Sequence, residues 1–336
     1  MFRQTIAAVA LLSAALVAPY VPPAEAADAP KIVLAPPGIP PIFISIITFV
    51  AKDQGFFKQY GADVDLRQFD NGTAAARAVV SGDIDAAMSA TPLLISQIAN
   101  ANVDLVGIYG FPKPDFELGT SNAGKATCAD VKGQQIGVDT PGGARSIALK
   151  QILEMGCHLS LDDVQQVALG SNTSQAMIAG QIQYGILHLD DVPEIESRGK
   201  KISVIKTLLD SNPTAQNLII VARRDDIAKK RDGFVRMAAA LIAAARFMAD
   251  PKNADKVATS AEVTGRTHEA ALAAVKSYLQ YGLWPLDNDG MPQPALEAYI
   301  GAQVKSGAIK EGTAPSYQRL VDPSIWRDAK ALVDKQ

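Results

Sequence analysis

From Lys31 onward, short β-rich apolar runs alternate with segments of helical period, and the alternation runs through the same order twice. Lys31 to Ala35 alternates and reads as a first strand. Pro36-Pro37-Gly38 and Pro40-Pro41 make a loop, and Ile42 to Gln54 is an amphipathic helix stopped by Gly55. Ala62 to Phe69 is a second strand. A helix then opens at Asn71-Gly72-Thr73 and ends at Gly82, Ile84 to Met88 is a short buried strand, Thr91-Pro92 starts another helix, and Asp104 to Tyr109 is a strand. Phe111-Pro112-Lys113-Pro114 punctuates the chain as a connector. A second unit begins near Phe116, with strands at Gln135 to Val138, Val164 to Ala168, Ile182 to Leu187 and Ile202 to Ile205, and a helix from about Gly143 to Met155. After the turn at Ser211-Asn212-Pro213, the strand Leu218 to Ala222 carries the chain back. Beyond it Phe234 to Met248, Thr267 to Gln280, Pro294 to Val304 and Ile325 to Val333 are helical in period, with no strand between them.

The two units match in detail. Ala78 to Met88 aligns with Ala176 to Ile186 without a gap, Gly72-Thr73 falls on Gly170-Ser171, and Ile32 to Gly38 resembles Ile136 to Gly142. A small-Gly-x-Ile-x-small block alone is common helix-turn-strand grammar, but an ordered set of such blocks is the mark of a repeat. The expected fold is therefore α/β and two-lobed, each lobe a mixed sheet flanked by helices. Residues 27–113 and 219–336 make the first lobe and 114–218 the second, with the C-terminal helices as a jacket on the first. Facing lobes make a cleft, and ligands favour clefts at strand carboxyl ends.

Residues 1–26 read as a secretory signal: Arg3, an apolar run from Ile6 to Ala18 too short to span a bilayer, and the small-x-small site Ala24-Glu25-Ala26, with cleavage after Ala26. No Cys stands there to carry a lipid. About 310 residues remain, enough for two domains with full cores. The net charge of −3 argues against a nucleic-acid partner. Cys128 and Cys157 are an even pair in an exported chain and suit one disulfide better than a metal site. Cys128 precedes the strand Gln135 to Val138 and Cys157 follows the next helix, which runs back antiparallel to that strand, so the two meet at its base.

Catalytic patterns are missing. His158, His188 and His268 are scattered, and the chain holds no G-x-S-x-G, P-loop or G-x-G-x-x-G motif. What stands out is small polar residues opening helices after strands: Asn71-Gly72-Thr73, Ser89-Ala90-Thr91, Thr140-Pro141-Gly142-Gly143 and Ser171-Asn172-Thr173. Such starts are ordinary N-caps, and they are also anion sites built from unpaired N–H groups and the helix dipole. Arg145 sits in the first turn of a helix, where a cation opposes the dipole, so it either pairs an anionic ligand or lies solvated on the surface. On either reading its removal leaves ligand-free stability nearly unchanged. His188, Asp190 and Asp191 follow the repeated strand of the second lobe and reach the cleft, or one Asp caps the helix at Val192-Pro193. Phe43 and Phe111 wall the pocket or fill the core, where Phe is more often found. The candidate ligand contacts are Gly38, Phe43, Asn71, Thr73, Ser89, Thr91, Thr140, Gly142, Gly143, Arg145, Ser171, Asn172, Thr173, His188 and Asp190.

Val50 to Phe57, Gly61 to Leu66 and Gly82 to Ala87 resemble the A-K-x-x-G-F-F, G-x-x-V-x-L and G-x-x-D-x-A signature of periplasmic solute-binding proteins of the nitrate/sulfonate/taurine group of ABC importers, also called the NMT1 or thiamine-precursor-like group. Asp130 to Val138 resembles its D-L-K-G-K-x-I-G-V segment, and Leu283-Trp284-Pro285-Leu286 its late helical motif. The resemblance spans nearly the whole mature chain. It implies a periplasmic, monomeric, type II-like binding protein that closes like a hinge on one small solute and delivers it to a membrane permease, with no cofactor and no metal. The expected solute is a small organic anion, a sulfonate or carboxylate; the alternatives are a neutral pyrimidine-like heteroaromatic, a secreted enzyme or a sensor. His188-Leu189-Asp190-Asp191-Val192-Pro193 stands where many relatives have aromatic-acidic-Pro, which leaves the solute open. The cysteine-rich run of the related pyrimidine synthases is absent, which counts against the enzyme reading.

Overall fold

The computed structural model describes residues 29–335, so the expected leader lies outside the described residues. The strands are β1 (Ile32–Ala35), β2 (Val64–Leu66), β3 (Ala86–Ala90), β4 (Leu105–Phe111), β5 (Glu117–Thr120), β6 (Gln135–Val138), β7 (Gln165–Ala168), β8 (Tyr184–Leu187), β9 (Ser203–Thr207) and β10 (Leu218–Arg223). They form two five-stranded sheets, ordered β2-β1-β3-β10-β4 and β7-β6-β8-β5-β9. The orders correspond position by position. β1 pairs parallel with β2 and β3, as β6 does with β7 and β8. The fourth strand of each sheet is antiparallel to both neighbours, β10 to β3 and β4, β5 to β8 and β9. Each of these two strands enters its sheet directly after the chain has left the other sheet.

The repeat therefore extends to the backbone. Gly82 and Gly180 both take left-handed φ, at +86° and +73°, where the helix before β3 and the one before β8 must turn sharply into a strand. Some boundaries shift. The strand expected over Ala62 to Phe69 shortens to Val64–Leu66, because only those residues find partners on β1. The helix expected from Gly143 to Met155 is α-helical over Ala144–Gln151 and continues as a π-turn over Ile152–Cys157. The helix expected at Val192-Pro193 spans Asp191–Ser197, whereas β5 and the helix Ala254–Ala261 are additions to the expected elements, being short and rich in polar or small residues.

The C-terminal helices cover the first sheet. Helix Arg231–Ala249 buries Phe234, Leu241 and Ile242 in one core with Ile32, Leu34, Met88, Ile108 and Ile220, and helices His268–Tyr281 and Ser324–Val333 add Val275, Tyr278 and Ile325. On the other face Ala87 and Val221 pack with Val79 and Leu94 from helices Gly72–Ser81 and Thr91–Ala101. That second core continues through Phe116 into Leu118, Ile136 and Ile186 of the second sheet. Phe111 is fully buried, its ring 5.1 Å from that of Tyr109, which makes it a core residue.

Cys128 and Cys157 form a disulfide with Cα atoms 5.3 Å apart, closing a loop of 29 residues around β6 and the helix after it. A loop of that length contributes on the order of 3–4 kcal/mol by chain entropy. Replacing both cysteines by serine is expected to lower the urea unfolding free energy by about that amount; a loss under 1 kcal/mol would mean the loop is already ordered in the unfolded chain.

Candidate functional site

The strands of the two lobes point their carboxyl ends at each other, and the residues that follow them line one cavity of about 630 Å³, its open mouth included. Gly38 follows β1, Asn71 and Thr73 follow β2, and Ala90 ends β3; Asp139 and Gly142 follow β6, Ser171 follows β7 and His188 follows β8. Ile42, Leu93, Phe116, Ile147 and Leu218 give it apolar walls. Of the expected contacts, Gly38, Asn71, Thr73, Gly142, Arg145, Ser171 and His188 line this cavity, and Phe43 and Asp190 line a smaller one beside it together with Arg266. Ser89, Thr91, Thr140, Gly143, Asn172 and Thr173 line neither.

Several helix starts are already served from within the chain. Asn71 caps its helix by accepting from Ala74 N at 2.9 Å. Thr91 N donates to the Asn217 carbonyl at 2.8 Å, and Pro92 has no N–H to offer. Beside the start of helix Ala144–Gln151, the Asp139 carboxylate lies so close to Gly143 that a Cβ there would collide with it. Ser171 Oγ donates to the Ile39 carbonyl at 3.1 Å, joining the lobes across the cavity mouth.

Arg145 is neither exposed nor unpaired. It is only 4% exposed, donates through Nη1 to the Ile186 carbonyl, and holds Asp191 Oδ2 at 2.9 Å through Nη2. Asp191 also accepts from the His188 N–H at 2.9 Å and, through Oδ1, from Arg266 Nη2 at 2.8 Å. Asp190, the residue before the helix, makes no capping bond; it meets Arg266, and its Oδ1 lies 2.7 Å from Tyr278 Oη. His188 Nδ1 lies 2.9 Å from Asp115 Oδ2, with the Phe116 ring 4.5 Å from the imidazole. Asp115 further accepts from Tyr278 Oη at 2.5 Å and from Asn217 Nδ2 at 2.9 Å. Phe43 completes the cluster by stacking on Tyr278 at 5.2 Å, with the Arg266 guanidinium 5.7 Å from its ring centre.

The protonation states follow from these partners. Burial alone would raise Asp191, but Arg145 and Arg266 override it and hold its pKa near 2. Burial opposes the charge on His188, yet the Asp115 carboxylate wins and raises its pKa above the ordinary imidazole value. Asp115 is lowered: its burial cost is outweighed by His188 and by the bonds from Tyr278 and Asn217. Asp190 is raised, mainly by burial and only partly relieved by Arg266. Burial and the charges of Asp191 and Asp115 push Glu117 to about 7.

Sequence reasoning missed Asp115, Asn217, Arg266 and Tyr278. Asp115 sits in the proline connector, and Tyr278 occupies an apolar-period position beside Ala271, Ala274 and Val275, so its hydroxyl was hidden in a core pattern. Among the described residues no group of His, Cys, Asp and Glu could hold a metal ion, and no helix is long and apolar enough to cross a membrane.

A two-lobed α/β scaffold with a cavity at facing strand ends is the fold of periplasmic solute-binding proteins. The family model described as "NMT1/THI5 like" matches residues 43–254, more than half of the chain, and the chain belongs to that family. A Brucella abortus (strain 2308) relative with only a general binding-protein name is 24% identical over 293 residues, 82% of this chain and 86% of that one. The periplasmic nitrate-binding protein of Synechocystis PCC 6803 superposes with TM-score 0.72 at 13% identity, covering 91% of this chain and 89% of that one. The alkanesulfonate-binding protein of Xanthomonas axonopodis pv. citri, bound to MOPS, does so with TM-score 0.65 at 17% identity, covering 89% and 99%.

The geometry corrects the expectation that losing Arg145 leaves ligand-free stability unchanged, since its removal strips one of two guanidinium partners from a buried carboxylate. Arg145→Ala is expected to lower the unfolding free energy of the ligand-free protein by about 3 kcal/mol in urea titration. A loss below 0.5 kcal/mol, roughly what a surface substitution gives, would contradict the buried pair. Acid should act at the same point. Asp191 is lowered, so its contribution is present above 3.8 and is lost as the pH falls toward 2.

Proposed function

We propose that this chain is the extracytoplasmic solute-binding component of an ABC importer, and that it holds a small organic anion against Arg145 and His188. The lobes, residues 27–113 with 219–336 and residues 114–218, rotate about the two crossings; the solute stabilises the closed form by binding it better than the open one. The exported, periplasmic, monomeric protein then delivers its cargo to a membrane permease. Family membership and the neighbours' solutes, nitrate and alkanesulfonate, support the class.

The observation that carries the anion reading is the set of donors left over at the cavity wall. His188 spends Nδ1 on Asp115, and its Nε2 has no protein hydrogen bond among the described residues. Arg145 spends Nη1 and Nη2 on Ile186 and Asp191, and its Nε is likewise without a partner there. The buried carboxylates orient these donors, and hydrogen bonds to charged groups are worth about 1.5–3 kcal/mol each. Asp70 and Asp139 also line the cavity and ask for N–H or O–H groups on the same solute. The apolar walls and the Phe116 ring favour the second reading, a flat heteroaromatic solute.

Native mass spectrometry of the untreated protein is expected to reveal a stoichiometric small acid that is not turned over on incubation. Added at about 100 times its Kd, that acid stabilises the fold by roughly 2.7 kcal/mol in thermal unfolding. His188→Gln is expected to weaken it by about tenfold or more, the loss of one charged hydrogen bond. A bound neutral heterocycle, with no stabilisation by sulfonates or carboxylates, would overturn the anion reading; turnover would overturn the binder.

A further inference from the structure

We propose that Asp190 and Tyr278 share a proton that clasps the two lobes together, so that closure of the cleft takes up a proton. The inference rests on the two-lobed hinge and is independent of which solute is carried. Tyr278 Oη stands 2.5 Å from Asp115 Oδ2 and 2.7 Å from Asp190 Oδ1, yet a phenol has a single hydrogen to give. If both carboxylates were ionised, one of those contacts would set oxygen lone pairs against each other inside the protein. A second hydrogen has to lie on one of the carboxyls and be donated back to the phenol oxygen.

The neighbours decide which carboxyl holds it. Asp115 is surrounded by donors: His188 Nδ1 and Tyr278 Oη reach Oδ2, and Asn217 Nδ2 reaches Oδ1. It is therefore the ionised acceptor. Asp190 meets Arg266 through Oδ2 and only the phenol through Oδ1, so that oxygen is where the hydrogen sits. Burial raises the pKa of Asp190, whereas His188 and the bonds from Tyr278 and Asn217 outweigh burial and keep that of Asp115 low, in the same sense.

The other charges facing this point are accounted for. Asp191 and Glu194 come from the helix that Asp190 precedes, Asp191 serving Arg145 and Arg266, and Glu194 serving Arg198. Glu117 on β5 is pushed up to about 7 by burial and by Asp191 and Asp115. With Asp190 neutral, the charged groups in direct contact here are the guanidinium groups of Arg145 and Arg266, the imidazole of His188 and the carboxylates of Asp115 and Asp191.

The clasp exists only when the lobes meet. Tyr278 and Arg266 belong to the helical jacket of the first sheet, whereas Asp190 and His188 follow β8 of the second. Opening exposes Asp190 to water, where a carboxyl ionises in the ordinary range. The closed form thus binds more protons, through Asp190 and His188, both raised. Closure is full below the ordinary carboxyl range for Asp190 and is lost as the pH rises toward its raised value.

The test uses the full mature protein without solute, so its outcome is separable from the identity of the ligand. Infrared difference spectra at neutral pH are expected to contain the carbonyl stretch of a protonated carboxyl that disappears in Asp190→Asn and survives in Glu117→Gln. Distance measurements between spin labels, one on each lobe, are expected to show the wild type opening as pH rises, by up to tenfold in the open-to-closed ratio per pH unit for one proton. Asp190→Asn, whose amide can donate to Tyr278 at every pH while its oxygen meets Arg266, is expected to remove the Asp190 part of that profile and leave only the shallower part due to His188. Tyr278→Phe should open the protein across the range; the Asn variant carries the test if the Phe variant fails to fold. An unchanged carbonyl band in Asp190→Asn, or a pH profile identical to the wild type, would overturn the proposal.

Discussion

Two guanidinium groups that reach Asp191 from different lobes meet on its carboxylate inside the protein, and much of the site is arranged around that pairing. A buried carboxylate with no partner would cost several kcal/mol, so the chain has to bring Arg145 from one lobe and Arg266 from the other to the same point. Asp191 in turn takes the His188 N–H, which fixes the turn after β8. That turn aims the imidazole at Asp115 on one crossing, and Asn217 on the other crossing holds Asp115. The cavity wall, the hinge and the helical jacket are thus bound into one set of charges. A change at any one of them is felt at the others, as expected for a network in a low dielectric.

The two lobes are alike in fold and unlike in chemistry. Superposing the repeats puts Ala90 and Pro92 of the first lobe where the second has His188 and Asp190. The first lobe brings Ile42, Leu93, Asp70 and a capped helix start to the cavity, while the second carries Arg145 and His188 beside Phe116 and Ile147. Such a division suits a hinge. On the proposed function, a solute is held by the lobe that carries Arg145 and His188 while the cleft stands open, and the other lobe then closes over it and removes water, which strengthens the polar contacts already made.

Most of the scaffold was legible because its signals are local. The alternating run at β1, the turn glycines after both repeated helices and the apolar core of β8 each follow from a few adjacent residues, and their recurrence revealed two lobes. The disulfide was legible for the same reason, since one strand and its return helix fix both ends. β5 was not: Glu117 and Gly119 break the apolar pattern, and the strand exists because its neighbours β8 and β9 complete its ladder. The charge network was less legible still. Arg145 could be singled out because it opposed a helix dipole, but the partner that makes its position tolerable stands after a different strand, and Arg266 and Tyr278 lie in the jacket.

That difference separates a cap from a ligand site. The helix starts at Asn71, Thr91 and Gly143 looked like openings for an anion, yet the chain fills or covers those openings with its own groups. A helix start attracts whatever negative charge is nearest, and within a folded chain that is often a side chain one turn away. Arg145 and His188 differ because their internal partners approach from behind. Each lines the cavity, is oriented by a buried carboxylate and keeps one N–H without a protein partner among the described residues. On the proposed function, recognition in this cleft depends less on free charge than on charge braced from the far side, where closing the lobes and fixing the donors are a single event.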